Sequence, residues 1–113
     1  MRETVKLENV PFATVDWNQI PAEEHPGAEG TVHSRTYSAG ELRVRMVDYS
    51  PGYVADHWCS KGHVVLCVRG LILSTHKDGS VHTIREGMVY IVGDNEAPHR
   101  SSSEHGATLF IVD

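Results

Sequence analysis

From Thr31 onward, hydrophobic and polar residues fall into short runs broken by turn residues, with no sustained helical period. The runs predict strands at 32–38, 42–49, 53–59, 63–68, 71–76, 81–85, 88–92, 98–102 and 107–112. Turn signals separate them at Ala39-Gly40, Ser50-Pro51-Gly52, Ser60–Gly62, Asp78-Gly79, Glu86-Gly87 and Gly93–Glu96. That spacing predicts an all-β domain, an antiparallel barrel or sandwich. Before Thr31 the strand signal is thin. Val10-Pro11-Phe12 reads as a short edge strand, and Asp16 caps one turn over Trp17–Ile20 that Pro21 stops. Residues 23–30, EEHPGAEG, read as a loop with His25 in solvent. The chain divides into an N-terminal segment, 1–30, and a barrel, 31–113, within one domain.

Parity along the strands sorts the faces. On 63–69, Val65, Cys67 and Arg69 share one face and Val64, Leu66 and Val68 the other. Strand 107–112, ATLFIV, is apolar on both faces as well, whereas an antiparallel strand with one wet face should alternate. Something must cover the outer side: the N-terminal segment, a second subunit, or both. A homodimer joined through sheet faces is the expectation. Arg43 and Arg45 alternate with Leu42, Val44 and Met46 and read as a solvated face rather than an anion site.

Length and charge narrow the class. The 113 residues suffice for one core and leave no room for a separate cofactor domain. A net charge of −5, with no basic run, argues against a nucleic-acid surface. Residues 1–12 contain no apolar signal core, and no stretch approaches the ~20 apolar residues that span a bilayer. The expectation is a cytoplasmic protein without membrane or nucleic-acid partners. Two cysteines are present, Cys59 and Cys67. A hairpin register opposing 59 to 63 sets 67 roughly 13 Å away at ~3.3 Å per residue. A disulfide needs Cα atoms within about 7 Å, so no intrachain bridge is expected.

The candidate chemistry lies in Gly52–Gly70, GYVADHWCSKGHVVLCVRG. His57 and Cys59 alternate on a predicted strand and so share a face. Ser60-Lys61-Gly62 fits a three-residue hairpin loop, which folds Cys59 opposite His63 and His57 opposite Val65. Taken singly, a His is more often a hydrogen-bonded structural residue than a ligand, and a buried Cys is usually a small hydrophobe. Three such groups on one face of one hairpin point instead to a transition metal. Trp58 has the opposite parity and reads as outer-face packing. Downstream, the turn-rich Gly93–Pro98 delivers His99 after the apolar run Met88–Val92. Tyr90 and Arg100 read as weak candidates for the rim of a substrate pocket, Arg100 as a bidentate holder of a carboxylate. His33, His76, His82 and His105 have no converging partner in the pattern and read as surface residues.

These two patches resemble the cupin superfamily over roughly residues 10 to 113. Its first motif has a Gly, a His-x-His pair, an acidic residue three or four positions on, and a later Gly. Here Gly52, His57-x-Cys59, His63 and Gly70 stand in those places. The second motif, G-x5-P-x-G-x2-H in outline, resembles Gly87 to His99, without the mid-motif Pro. Cys59 replaces the second His, and His63 replaces the Glu. Asp56-His57-Trp58-Cys59 also resembles the signature of small bacterial cupins named for an Asp-His-Cys-Trp motif.

The resemblance implies a double-stranded β-helix, an antiparallel jelly-roll barrel, with one divalent transition metal inside one end. It adds His99 to His57, Cys59 and His63 as ligands. Three imidazoles and a thiolate suit Zn2+ best, with Fe2+, Ni2+ and Cu behind. Four protein ligands would close the site, whereas an unligated Cys59 would leave open positions. Two functions follow: a small-molecule binding or sensing module, or a metal-dependent oxygenase, isomerase or hydrolase acting on a small, for instance carboxylate-bearing, substrate. No general acid or base stands beside the ligands in the sequence, which ranks the binding module first. The fold alone assigns no activity.

Overall fold

The computed structural model describes residues 7–113. Among the described residues nine strands carry the fold: β1 (Glu23–Pro26), β2 (Thr31–Ala39), β3 (Leu42–Tyr49), β4 (Tyr53–Val54), β5 (His63–His76), β6 (Val81–Arg85), β7 (Val89–Val92), β8 (His99–Ser103) and β9 (Ala107–Val112). The helical content among the described residues is one 3-10 turn, Trp17–Gln19, where the Asp16 carboxylate accepts from the Asn18 amide. No helix among the described residues is long and apolar enough to cross a membrane.

Every strand pair is antiparallel, and β5 is the axis of the sheet. Its first half lies between β9 and β7, and its second half between β8 and β6. β1, β2 and β3 extend the β9 side, and β4 extends the β8 side. The two predicted strands 63–68 and 71–76 are thus one strand that bends. The bend is a bulge between Cys67 and Arg69, followed by Gly70 at φ +88°. A Cβ on Gly70 would run into the Gly106 carbonyl, so glycine is required for both the angle and the approach. The bulge also reverses parity: Cys67 is fully buried, while Arg69 is outside and donates to Thr108 Oγ1 at 3.0 Å.

The core is the inner face of these strands: Val47, Val65, Cys67, Ile72, Ile84, Ala107, Leu109 and Ile111. Both cysteines are free. This is the all-β, curled antiparallel architecture that the strand pattern predicts.

Four local expectations need correction. The 23–30 segment is not all loop, because Glu23–Pro26 pairs with β2. No strand forms at Val10–Phe12. The predicted strand 53–59 ends at Val54; the chain then bends and crosses to β8, where Cys59 and His99 exchange amide–carbonyl bonds of 2.8 and 3.0 Å. The hairpin opposing Cys59 to His63 is therefore absent, and His63 pairs with Val92. Finally, Arg43 and Arg45 are not a solvated face. They point into the barrel, and Val44 and Met46 lie outside in rows with Val112 and Phe110.

Candidate metal centre

Three predicted ligands arrive from three separate parts of the fold. His63 starts β5, His99 starts β8, and Cys59 is pinned to the backbone of His99. Loop contacts hold the arrangement. The Gly62 amide donates to Asp94 Oδ1 at 2.7 Å, and the Asn95 amide to the Ser60 carbonyl at 2.8 Å. A Cβ on Gly62 would lie 2.5 Å from the Asp94 nitrogen, so glycine lets the two loops close on each other. The Cys59, His63 and His99 ligand atoms all lie within 4.8 Å of one another.

The imidazoles are aimed by what their far nitrogens meet. His99 is buried, and its Nδ1 donates to the Ala97 carbonyl at 2.8 Å. A carbonyl only accepts, so the proton is on Nδ1 and the Nε2 lone pair faces the cluster. That Nε2 stands 2.9 Å from His63 Nε2. His63 Nδ1 is buried without a hydrogen-bond partner, and the nearest charge is Asp113 Oδ2 at 3.5 Å. Burial, together with the neighbouring His99, pushes the His63 pKa below its ordinary value, against the opposing pull of Asp113. His63 is therefore neutral near pH 7.

A neutral His63 has two options. With the proton on Nε2 it donates to His99, and the bare Nδ1 lone pair then faces a carboxylate. With the proton on Nδ1 that repulsion becomes attraction, but two Nε2 lone pairs then face each other. A cation between them resolves the conflict. Two metal–nitrogen bonds of ~2.0–2.1 Å can span the 2.9 Å between the His63 and His99 Nε2 atoms. The donor set fits a divalent transition ion.

Asp113 is the residue the sequence pattern missed. Its side chain is fully buried, with Arg43 Nε and Nη2 at 2.8 and 3.1 Å and Arg45 Nη2 at 2.8 Å. Burial alone would raise its pKa, but the Arg43 bond and both guanidinium charges outweigh it and hold the carboxyl low. Arg43 and Arg45 thus fix an ionised carboxylate behind His63, the arrangement that orients a ligating imidazole.

His57 stands apart from the three-atom group. Its Nδ1 lies 2.7 Å from Asp56 Oδ1, and both side chains are largely exposed. The His57 bond holds the Asp56 carboxyl below its usual value. His57 still faces the same space: a cavity of about 590 Å³ is lined by His57, Cys59, His63 and His99 together with Arg43, Arg45 and Arg100. Arg100 also stacks on Trp58 at 4.8 Å, with Lys77 Nζ 5.6 Å from the same ring. Trp58 is accordingly outside the cavity. Tyr90 lines a smaller inner space behind the ligands, its ring edge-on to His99 and its hydroxyl 3.0 Å from His76 Nε2. His76 has partners after all, since β5–β8 pairing puts it opposite His99 and its ring lies 4.5 Å from His82. His25, His33 and His105 each lie beside an exposed glutamate, and His25 also lines the large cavity.

No family model matches the chain, and no curated protein matches it. Solved structures do. An RmlC-like cupin from Shewanella frigidimarina superposes with TM-score 0.71 at 18% identity, covering 92% of this chain and 91% of its own. A predicted oxalate decarboxylase from Thermotoga maritima gives 0.74 at 15%, with coverages of 88% and 96%. The chain has the cupin fold. Ectoine synthase from P. lautus, at TM-score 0.72 and 14% identity, matches over 89% of this chain and 76% of its own. The jelly-roll expectation from the two sequence patches thus holds, and the Cys/His/His group sits on the elements that close the cupin cavity.

Proposed function

We propose that the protein is a metal-dependent binding or sensing module for a small molecule. Cys59, His63 and His99 hold one divalent transition ion, Zn2+ before Fe2+, Ni2+ or Cu, with His57 as a fourth donor when it swings off Asp56. The observation that carries this reading is the convergence of Cys59, His63 and His99, whose ligand atoms lie within 4.8 Å of one another with the two Nε2 atoms 2.9 Å apart. Such an ion would supply an electrophilic coordination position open to the 590 Å³ cavity. A free thiol at the site suits a reducing compartment, the cytoplasm.

A second reading is a metal-dependent enzyme on a small, carboxylate-bearing substrate. The exposed Asp56–His57 pair on the cavity wall favours it, because a carboxylate-oriented imidazole can move a proton to or from a bound molecule. Enzymes do share the fold, as ectoine synthase illustrates.

Elemental analysis of protein purified without chelator or affinity tag tests the common core. One equivalent of a transition metal, lost in His63→Ala and in His99→Ala, is the expected result. Equal occupancy in wild type and both variants would remove the site. With the metal in place, small carboxylates that bind without turnover support the module, and conversion of any of them supports the enzyme.

A further inference from the structure

Along β3 the inward side chains change character step by step. Arg43 lies beside Asp113 and His63, at the ligand end of the barrel. Two residues on, Arg45 lies in a row with Thr36, Ile111 and Val65. Two further, Val47 joins Leu109 and Cys67 in the closed core. Arg45 is therefore the last inward charge on β3 before the apolar interior. Its side chain is 23% exposed, and it lines the cavity of about 590 Å³ together with Thr36, Val47 and Ile111.

The three guanidiniums on this cavity are not equally engaged. Arg43 makes a side-on pair with both oxygens of Asp113, through Nε at 2.8 Å and Nη2 at 3.1 Å. Arg100 is stacked on Trp58, outside the cavity. Arg45 gives Asp113 only Nη2, at 2.8 Å, and its buried Nε–H has no hydrogen-bond partner among the described residues. A guanidinium carries five N–H donors, so one bond to a carboxylate does not saturate it. Charge is unbalanced in the same sense. Asp113 is one anion against two guanidiniums, which leaves one positive charge at the edge of the core. Glu23 and Asp56 also line the cavity, but both are largely exposed and lie beside His25 and His57 instead.

We propose that the cavity takes a small organic monocarboxylate, its carboxylate on Arg45 and its apolar body against Val47 and Ile111. This rests on the reading of the cavity as a small-molecule site and names the class of molecule. A half-buried charge beside an apolar wall gains most from an anion that brings its own apolar surface. One unmatched positive charge also suits one carboxylate better than a phosphate dianion. The volume falls within the ~300–1,000 Å³ of ordinary ligand pockets and is far more than an inorganic anion needs. Thr36, opposite Arg45, adds a hydroxyl donor on the same wall. Asp113 Oδ2 is shared between Arg45 Nη2 at 2.8 Å and His63 Nδ1 at 3.5 Å, so the anchor and a metal ligand are two contacts apart. A molecule held on Arg45 is within reach of the Cys/His/His cluster.

Calorimetric titration of the full chain, zinc-loaded and metal-free, with benzoate, benzamide and inorganic phosphate tests this. Benzoate is expected to bind at least ~10-fold more tightly than its neutral isostere benzamide in both forms, as a charge-assisted pair implies. Arg45→Gln should bring the two to equal affinity, and Arg45→Lys, which keeps the charge without the planar fork, should restore part of the difference. Arg85→Gln, at an exposed site on β6, removes the same charge elsewhere and should change nothing. In wild type the Arg45 Nε–H resonance, assigned through its own backbone amide, should move with benzoate and not with benzamide, which reads the contact even if Arg45→Gln fails to fold. Equal wild-type affinity for benzoate and benzamide, or no binding of either, overturns the proposal. Phosphate bound as tightly as benzoate overturns the carboxylate class. Benzoate bound only by the zinc-loaded form, with the Arg45 resonance unmoved, puts the carboxylate on the ion and overturns the anchor while the metal site stands. A benzoate preference that persists in protein unable to hold zinc supports the anchor and counts against the metal site alone.

Discussion

At the scale of single residues, the centre depends on which proton each group carries. Cys59→Ser keeps the geometry but replaces a soft thiolate with a hydroxyl. It should weaken Zn2+ much more than Mn2+ in competition titrations. Asp113→Asn removes the charge behind His63 while keeping its shape, and metal affinity should fall about 10- to 100-fold. Its fold should be strained too, because Arg43 and Arg45 would lose their counter-ion. Acid should act through the same groups. His63 has a folded pKa below its ordinary value, so it binds fewer protons folded than unfolded near pH 6. Its contribution to stability is present above ~6.5 and is lost as pH falls through the folded value. Asp113 is likewise held low, with its stabilisation present above ~3.9 and lost on further acidification. Melting temperatures of metal-free protein should therefore decline from pH 7.5 to 5 and again below 4. A flat profile through pH 6 would contradict the neutral, buried His63.

At the scale of elements, β5 carries both the core and one ligand, and its bend is the sensitive point. Gly70→Ala forces a side chain into a left-handed angle and against the Gly106 carbonyl. It should cost at least ~1–3 kcal/mol in chemical denaturation. Leu109→Ala, on the adjacent β9, empties a fully buried site and should cost about 2–5 kcal/mol. Strand positions were legible in the sequence because alternation and turn residues are local signals: β2, β3, β6, β8 and β9 fall close to where the pattern puts them. Strand partners were not. Cys59 faces His99, forty residues on, instead of His63 across a short turn, since the chain leaves β4 at Val54 and crosses to β8. The inward turn of Arg43 and Arg45 was equally hidden. Alternation reads the same whichever face is the inside, and charged residues are usually outside. Only the arrival of Asp113, seventy residues away from Arg43, makes an inward guanidinium affordable.

At the scale of the molecule, the barrel joins two surfaces of opposite character on one sheet. Inside, Arg43 on β3, Asp113 just past the end of β9 and His63 on β5 lie side by side and lead to the ligand cluster. Outside, the same strands present the uncharged rows Val44–Val112–Val64–Ile91 and Met46–Phe110–Leu66–Val89. Metal should consequently stabilise the fold, by about 2.7 kcal/mol at a free concentration one hundred times the dissociation constant. Chelator should lower the melting temperature of wild type and leave His99→Ala unchanged. The most direct test of the mixed Cys/His centre is X-ray absorption at the zinc edge, on protein loaded with one equivalent of Zn2+. One sulfur at ~2.3 Å with at least two imidazole nitrogens at ~2.0–2.1 Å is the predicted first shell. A shell without sulfur, or one built from oxygen alone, would contradict the account.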